Sequence, residues 1–146
     1  MDRMANALPD GPEATEIRIV ALAATNGTRF YQGRFADQLD CIAAIRPLYR
    51  LEKHAGMIAR YGMDMFAAAQ MFEGPTRAIL GQSDRISDLV AETDAHQAAL
   101  SIPVMQPYAL VWGSVPLFYA GHLDQALARL DRGIEAAVAQ GALFWQ

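Results

Sequence analysis

The chain is poor in several residue types that would otherwise direct its reading. It has one cysteine, Cys41, and one lysine, Lys53. A lone cysteine closes no internal disulfide, which excludes a small stapled secreted domain. The remaining positive charge is carried by arginines scattered along the chain, and 12 basic residues against 16 acidic ones leave a net charge of −4. Phosphate neutralisation needs gathered positive charge, so a nucleic-acid partner is not expected. No run of about 18 apolar residues occurs, so no membrane span is expected. The opening Met1-Asp2-Arg3-Met4-Ala5 lacks the charged-then-apolar order of a signal peptide. These features together predict a cytoplasmic location.

Catalytic signatures are missing as well. No Gly-x-Gly-x-x-Gly, P-loop or nucleophile-elbow pattern is present. His54, His96 and His122 lie far apart, and none has a second ligand at metal spacing. They read as solvated turn residues. Cys41 stands beside the apolar Ile42 and reads as a small buried hydrophobe. The acidic pairs Glu13/Glu16, Asp84/Asp88 and Asp131/Glu135 read as solvated helix faces. The expectation is a protein that is not an enzyme and takes no metal and no cofactor.

What is present is helical periodicity. The chain has 146 residues, 53% hydrophobic and 19% charged, enough for one domain with a real core. Residues 1–11 read as a flexible tail, and 12–146 as a single helical domain. Asp10-Gly11-Pro12 is a helix start signal. Apolar residues then recur at steps of three and four, and that helix is expected to run through Thr25–Thr28 to a turn at Gly33. Phe35–Arg46 makes the next helix. Residues 52–73 follow, ending on Gly74-Pro75 as a stop and restart. A helix to about Asp94, with Ile79, Leu80, Ile86, Leu89 and Val90 inward, leads to a connection or an extra short helix at 95–102. Helices over about 104–119 and 123–140 close the chain, the latter with Ala126, Leu127, Leu130, Ile134, Ala137 and Val138 inward. Gly81 and Ser83 fall inside the fourth helix and predict a weaker second unit.

Three glycines organise the pattern. Gly33, Gly74 and Gly121 stand 41 and 47 residues apart (74 − 33 and 121 − 74), a period that points to a helical array. Phe30-Tyr31, Met71-Phe72 and Phe118-Tyr119 precede them, and Leu39, Leu80 and Leu127 stand six residues after. The units would cover about 12–48, 52–94 and 103–141, followed by the start of a truncated helix. Leu143-Phe144-Trp145 is an apolar end, expected to pair two copies of the chain as a homodimer.

Tyr119 to Ala126, with Gly-x-x-x-x-Ala after an aromatic residue, resembles a tetratricopeptide repeat turn. The matching alanine position holds Gln38 in the first unit and Ile79 in the second. Leu48-Tyr49, His54, Tyr61-Gly62-Met63-Asp64, Gly113 to Gly121, Gln125–Leu130 and Gly133 are similar to the helical-repeat region of large bacterial regulators. In those proteins the region follows an ATPase module and sometimes a nucleotide-cyclase domain. The resemblance implies an all-α fold, a short tetratricopeptide-like α-solenoid of about six helices in stacked antiparallel hairpins. It implies a concave face carrying Tyr31, Tyr61, Asp64, Met71, Tyr108, Val111 and Tyr119, where Asp64 would be a polar anchor. The function expected is a non-catalytic scaffold that binds a protein or peptide, as a segment of a larger bacterial regulator. A structural spacer or sensor arm packing on neighbouring repeats, and a small-ligand-binding helical domain, are the alternatives.

Overall fold

Pro12 sits in the first turn of α1 (Pro12–Tyr31), where its missing N–H costs nothing. In the computed structural model, which describes residues 11–103 and 105–142, this helix runs unbroken through Thr25–Thr28, as expected. Thr25 and Thr28 return their hydroxyls to the carbonyls of Ala21 and Ala24, 2.7 and 2.9 Å away. α2 (Phe35–Ile45), α3 (Leu51–His54), α4 (Met57–Tyr61), α5 (Met65–Ile79), α6 (Ile86–Leu100), α7 (Met105–Tyr119) and α8 (Leu123–Ala139) follow, with a 3-10 turn at Ser83–Arg85 before α6. The described residues are all-helical in their regular structure and contain no strand. None of their helices is long and apolar enough to cross a membrane.

These residues group into two compact units, divided between Phe72 and Glu73 within α5. In the first, α2 packs on α1. Ile19, Ile42, Ile45, Met57, Phe66 and Ala69 fill its core. Asn26, fully buried in α1, donates its amide to the Ala69 carbonyl at 3.1 Å and accepts from Gln38. In the second unit α7 packs on both α6 and α8. Ile86, Leu89, Val90, Leu117 and Ala126 cluster there. Gly133 of α8 lies so close to α7 that a Cβ on it would stand 3.1 Å from Val111 Cγ2.

The turns correct the sequence reading at its second glycine. Gly33, Gly81 and Gly121 have φ of 71°, 75° and 82°, a left-handed conformation that glycine adopts without penalty. Each donates its N–H to the carbonyl three residues back, and the next residue donates to the carbonyl five back. The pairs are Gly33–Phe30 and Arg34–Arg29, Gly81–Ala78 and Gln82–Arg77, and Gly121–Phe118 and His122–Leu117, all at 2.8–3.0 Å. This is a Schellman closure at three turns between helices, and Gly141 (φ 63°) closes α8 in the same way, with Gly141–Val138 at 3.1 Å and Ala142–Ala137 at 2.8 Å. Gly74 and Pro75 lie inside α5 instead, and the chain reverses at Gly81. Gly74 is there for close approach, since a Cβ would stand 2.6 Å from Cβ of Pro116. Ile79 and Leu80, expected inward, are exposed at the turn.

Two more boundaries differ from expectation. The helix expected over 52–73 is three helices, because Gly62 (φ 76°) closes α4 in a left-handed cap, its N–H on the Ile58 carbonyl at 2.9 Å. α6 continues to Leu100, because Gln97 and Leu100 extend its buried stripe beyond Val90. It ends on Ser101, a non-glycine residue in the left-handed region at φ 53°.

Candidate functional site

Asp64 shows how far local chemistry overrides the reading of a residue as a partner anchor. It is fully buried. One carboxylate oxygen, Oδ1, accepts the Ala67 N–H at 2.8 Å, capping the first turn of α5. The other, Oδ2, accepts the Tyr49 hydroxyl at 2.6 Å. Burial first, and then the Asp64 carboxylate beside it, push the Tyr49 phenol well above its ordinary range. The Tyr49 ring stacks on Phe66 at 5.2 Å, and His54 lies at 5.4 Å. His54 is buried, not a solvated turn residue as expected. Its Nδ1 accepts the Arg50 N–H at 2.8 Å, which places the proton of the neutral ring on Nε2. Asp64 therefore locks the α4–α5 junction and is unavailable to a partner.

The other residues of the expected concave face fall on both units. In the first, Tyr31 is exposed at the end of α1 with its ring 5.7 Å from Phe72. Tyr61 is exposed at the end of α4, with the Arg60 guanidinium 6.0 Å from its ring, and Met71 is half-buried. A cleft of about 820 Å³ in this unit is lined by Glu13, Glu16, Arg50, Lys53, His54 and Arg60, with Arg60 on Glu16 at 2.6 Å. In the second, Tyr108 is buried, which removes it from any recognition surface. Val111 is half-buried against Gly133. Tyr119 is exposed beside the exposed Phe118, edge-to-face at 5.8 Å. Leu143, Phe144 and Trp145 lie outside the described residues.

The second unit presents features that sequence reasoning missed. Arg129, nine-tenths buried on α8, grips Asp94 of α6 with both Nη atoms at 2.7 and 2.8 Å and reaches the Ala109 carbonyl of α7 at 3.3 Å. The guanidinium lies over Gly113, where a Cβ would stand 2.5 Å from Nη2. A single arginine thus ties three helices. α8 also splits the expected inward set, with Ala126 and Ala137 inside as expected, Leu130 half-buried, and Leu127, Ile134 and Val138 outside. Ala126, Gly133 and Ala137 are buried, while Leu123, Leu127, Ile134 and Val138 are 53%, 60%, 45% and 60% exposed. Apart from Arg129, whose guanidinium is taken up over Gly113, the buried stripe carries small side chains where α7 comes close, and the large apolar ones form a second stripe facing outward. The four stand at steps of four, seven and four, a signal present in the sequence. No family model, curated protein or solved structure matches the chain.

Proposed function

We propose that the chain is a non-catalytic, tetratricopeptide-like helical-hairpin scaffold that associates with protein through the outer face of α8, and that the partner on that face is a second copy of the chain. The observation that carries this reading is the exposed Leu123–Leu127–Ile134–Val138 stripe. Large side chains left in water along one helix face are unusual outside an interface. Two-fold self-pairing is favoured by the spacing of the stripe. Steps of four, seven and four read the same in both directions, so an antiparallel pair of α8 helices sets Leu123 against Val138 and Leu127 against Ile134. An isologous interface needs such self-complementarity.

The repeat-like geometry is supported by the three Schellman turns that join helices, at Gly33, Gly81 and Gly121. Seven residues before their glycines stand Asn26, Gly74 and Ser114, all buried and small or compact. Five after stand Gln38, Ile86 and Ala126, all buried. Sedimentation equilibrium across a dilution series tests the assignment. Wild type is expected as a reversible dimer and Leu127→Glu/Ile134→Glu as a monomer of unchanged helicity. A wild type that stays monomeric at all concentrations would sink self-pairing and leave α8 as the seat of a following helix pair, the spacer reading.

A further inference from the structure

The second unit holds a cleft of about 470 Å³ between the end of α6 and the start of α7. Its walls include Asp94 and Gln97 of α6, Ile102 and Pro103 of the connection, Leu110 of α7 and Arg132 of α8. Gln97 is 9% exposed, and both ends of its amide, Nε2 and Oε1, are buried without a hydrogen-bond partner among the described residues. A buried amide with donor and acceptor both unmet is costly, and folded chains keep few of them. Asp94 is already neutralised by the two-pronged Arg129 contact. Arg132 is exposed and makes no ion pair with a described residue, so its guanidinium is the charge the cleft has to offer.

We infer that this cleft binds the acylated amino-acid unit, an amide followed by a carboxylate, with Gln97 paired to the amide and Arg132 holding the carboxylate. A primary amide presents a donor and an acceptor side by side in one plane, which complement the amide N–H and the terminal carboxylate oxygen that a single extended residue turns to the same side, so Oε1 accepts the N–H and Nε2 shares the carboxylate with Arg132. Arginine matches a carboxylate with two parallel N–H donors. Ile102, Pro103 and Leu110 give a small side chain an apolar seat. The unit is supplied by a free N-acyl amino acid or by the last residue of a peptide chain. This site does not depend on the self-pairing of α8.

The test is an NMR titration of the full chain with N-acetylalanine and, separately, with N-acetyl-tetraalanine, following the Gln97 side-chain NH2 signals in wild type and the backbone amides of Ala98, Ile102 and Leu110 in every variant. Saturable shifts with a dissociation constant on the order of 1–10 mM are expected for so small a probe. Tighter binding of the tetrapeptide identifies a chain end, and equal binding identifies a free small molecule. N-Acetylalanine methylamide, which lacks the carboxylate, should bind about tenfold more weakly. Arg132→Gln, on an exposed side chain, should remove that tenfold difference. Gln97→Met, of similar shape, should abolish saturation while melting no lower than wild type, because it removes an unmet polar group. No saturation with either probe, or binding unchanged in Gln97→Met, overturns the proposal. A Gln97→Met chain that melts lower or fails to fold also overturns it, since the amide would then be serving the structure.

Discussion

Gly74→Ala separates a glycine that makes a turn from one that lets two helices touch. Gly74 lies inside α5, where exchanging glycine for alanine ordinarily stabilises a helix by about 1 kcal/mol. Here the new Cβ would stand 2.6 Å from Pro116 Cβ and 2.9 Å from its Cγ. Carbon atoms in good contact sit at about 3.5–4.0 Å, so something must move by about 1 Å. Neither side yields easily. The alanine methyl is fixed to a helix, and the proline ring is closed on its own backbone. Overpacking of this kind costs about 1–3 kcal/mol. At the upper end of that range, after the helix-propensity gain, the net loss is about 2 kcal/mol. Urea unfolding followed by far-UV circular dichroism measures it. The partner background sharpens the test. Pro116→Ala keeps the offending Cβ, so Gly74→Ala should remain costly there. Pro116→Gly removes it, and Gly74→Ala should then stabilise by about 1 kcal/mol. A Gly74→Ala chain more stable than wild type, or a penalty equally large beside Pro116→Gly, would refute the close-approach reasoning.

The buried pair Tyr49–Asp64 gives a pH prediction. A phenol whose folded pKa is raised above the unfolded value of about 10 contributes fully below pH 10 and loses stability as pH rises beyond it, by about 1.4 kcal/mol per pH unit. Tyr49→Phe should abolish that alkaline loss while costing about 1–3 kcal/mol near neutrality, by removing a donor from a buried carboxylate. Equal alkaline slopes in wild type and Tyr49→Phe urea curves would contradict this. Cys41 is buried, and desolvation raises its thiol pKa. A thiol titration should find it silent in the native chain and stoichiometric in denaturant; fast native labelling would contradict its placement. Ser101→Gly should raise stability by about 0.5–1 kcal/mol in the same urea assay, because glycine occupies φ 53° without the penalty of a Cβ. A lower midpoint would show that the serine side chain matters more than the backbone angle.

The all-helical character and most helix ends were legible because they rest on apolar periodicity and on glycine. The place of the second turn was not, because a glycine serves two purposes that look alike in a sequence. Gly74-Pro75 reads as a stop, yet proline is tolerated there within α5 and the left-handed residue is Gly81. Shifting the alignment to Gly81 moves Gly74 into the position of Asn26 and Ser114, seven residues before the turn, so the spacing pattern was present with the wrong glycine at its centre. α8 was misread in part, at Leu127, Ile134 and Val138, for a related reason. A helix with two apolar stripes does not say which one faces inward. Hydrophobicity favours the larger side chains, whereas the approach of α7 at Gly133 selects Ala126 and Ala137.

Polar residues on buried stripes carry the remaining information. Asp64, Arg129 and Gln97 each sit where the period of the helix or its cap places them inside. Their number in the sequence does not distinguish them, but their partners do. Asp64 meets Tyr49 and Ala67, and the Arg129 fork meets Asp94 and Ala109. Both are explained by the fold they hold together, and replacing either should first cost stability. Gln97, like Gln70 in the first unit, meets no described residue through either end of its amide, and Gln97 in addition lines the cleft between α6 and α7. A folded chain keeps such a group at a cost unless something outside the fold completes it. For this reason a small ligand should be sought at the Gln97 cleft.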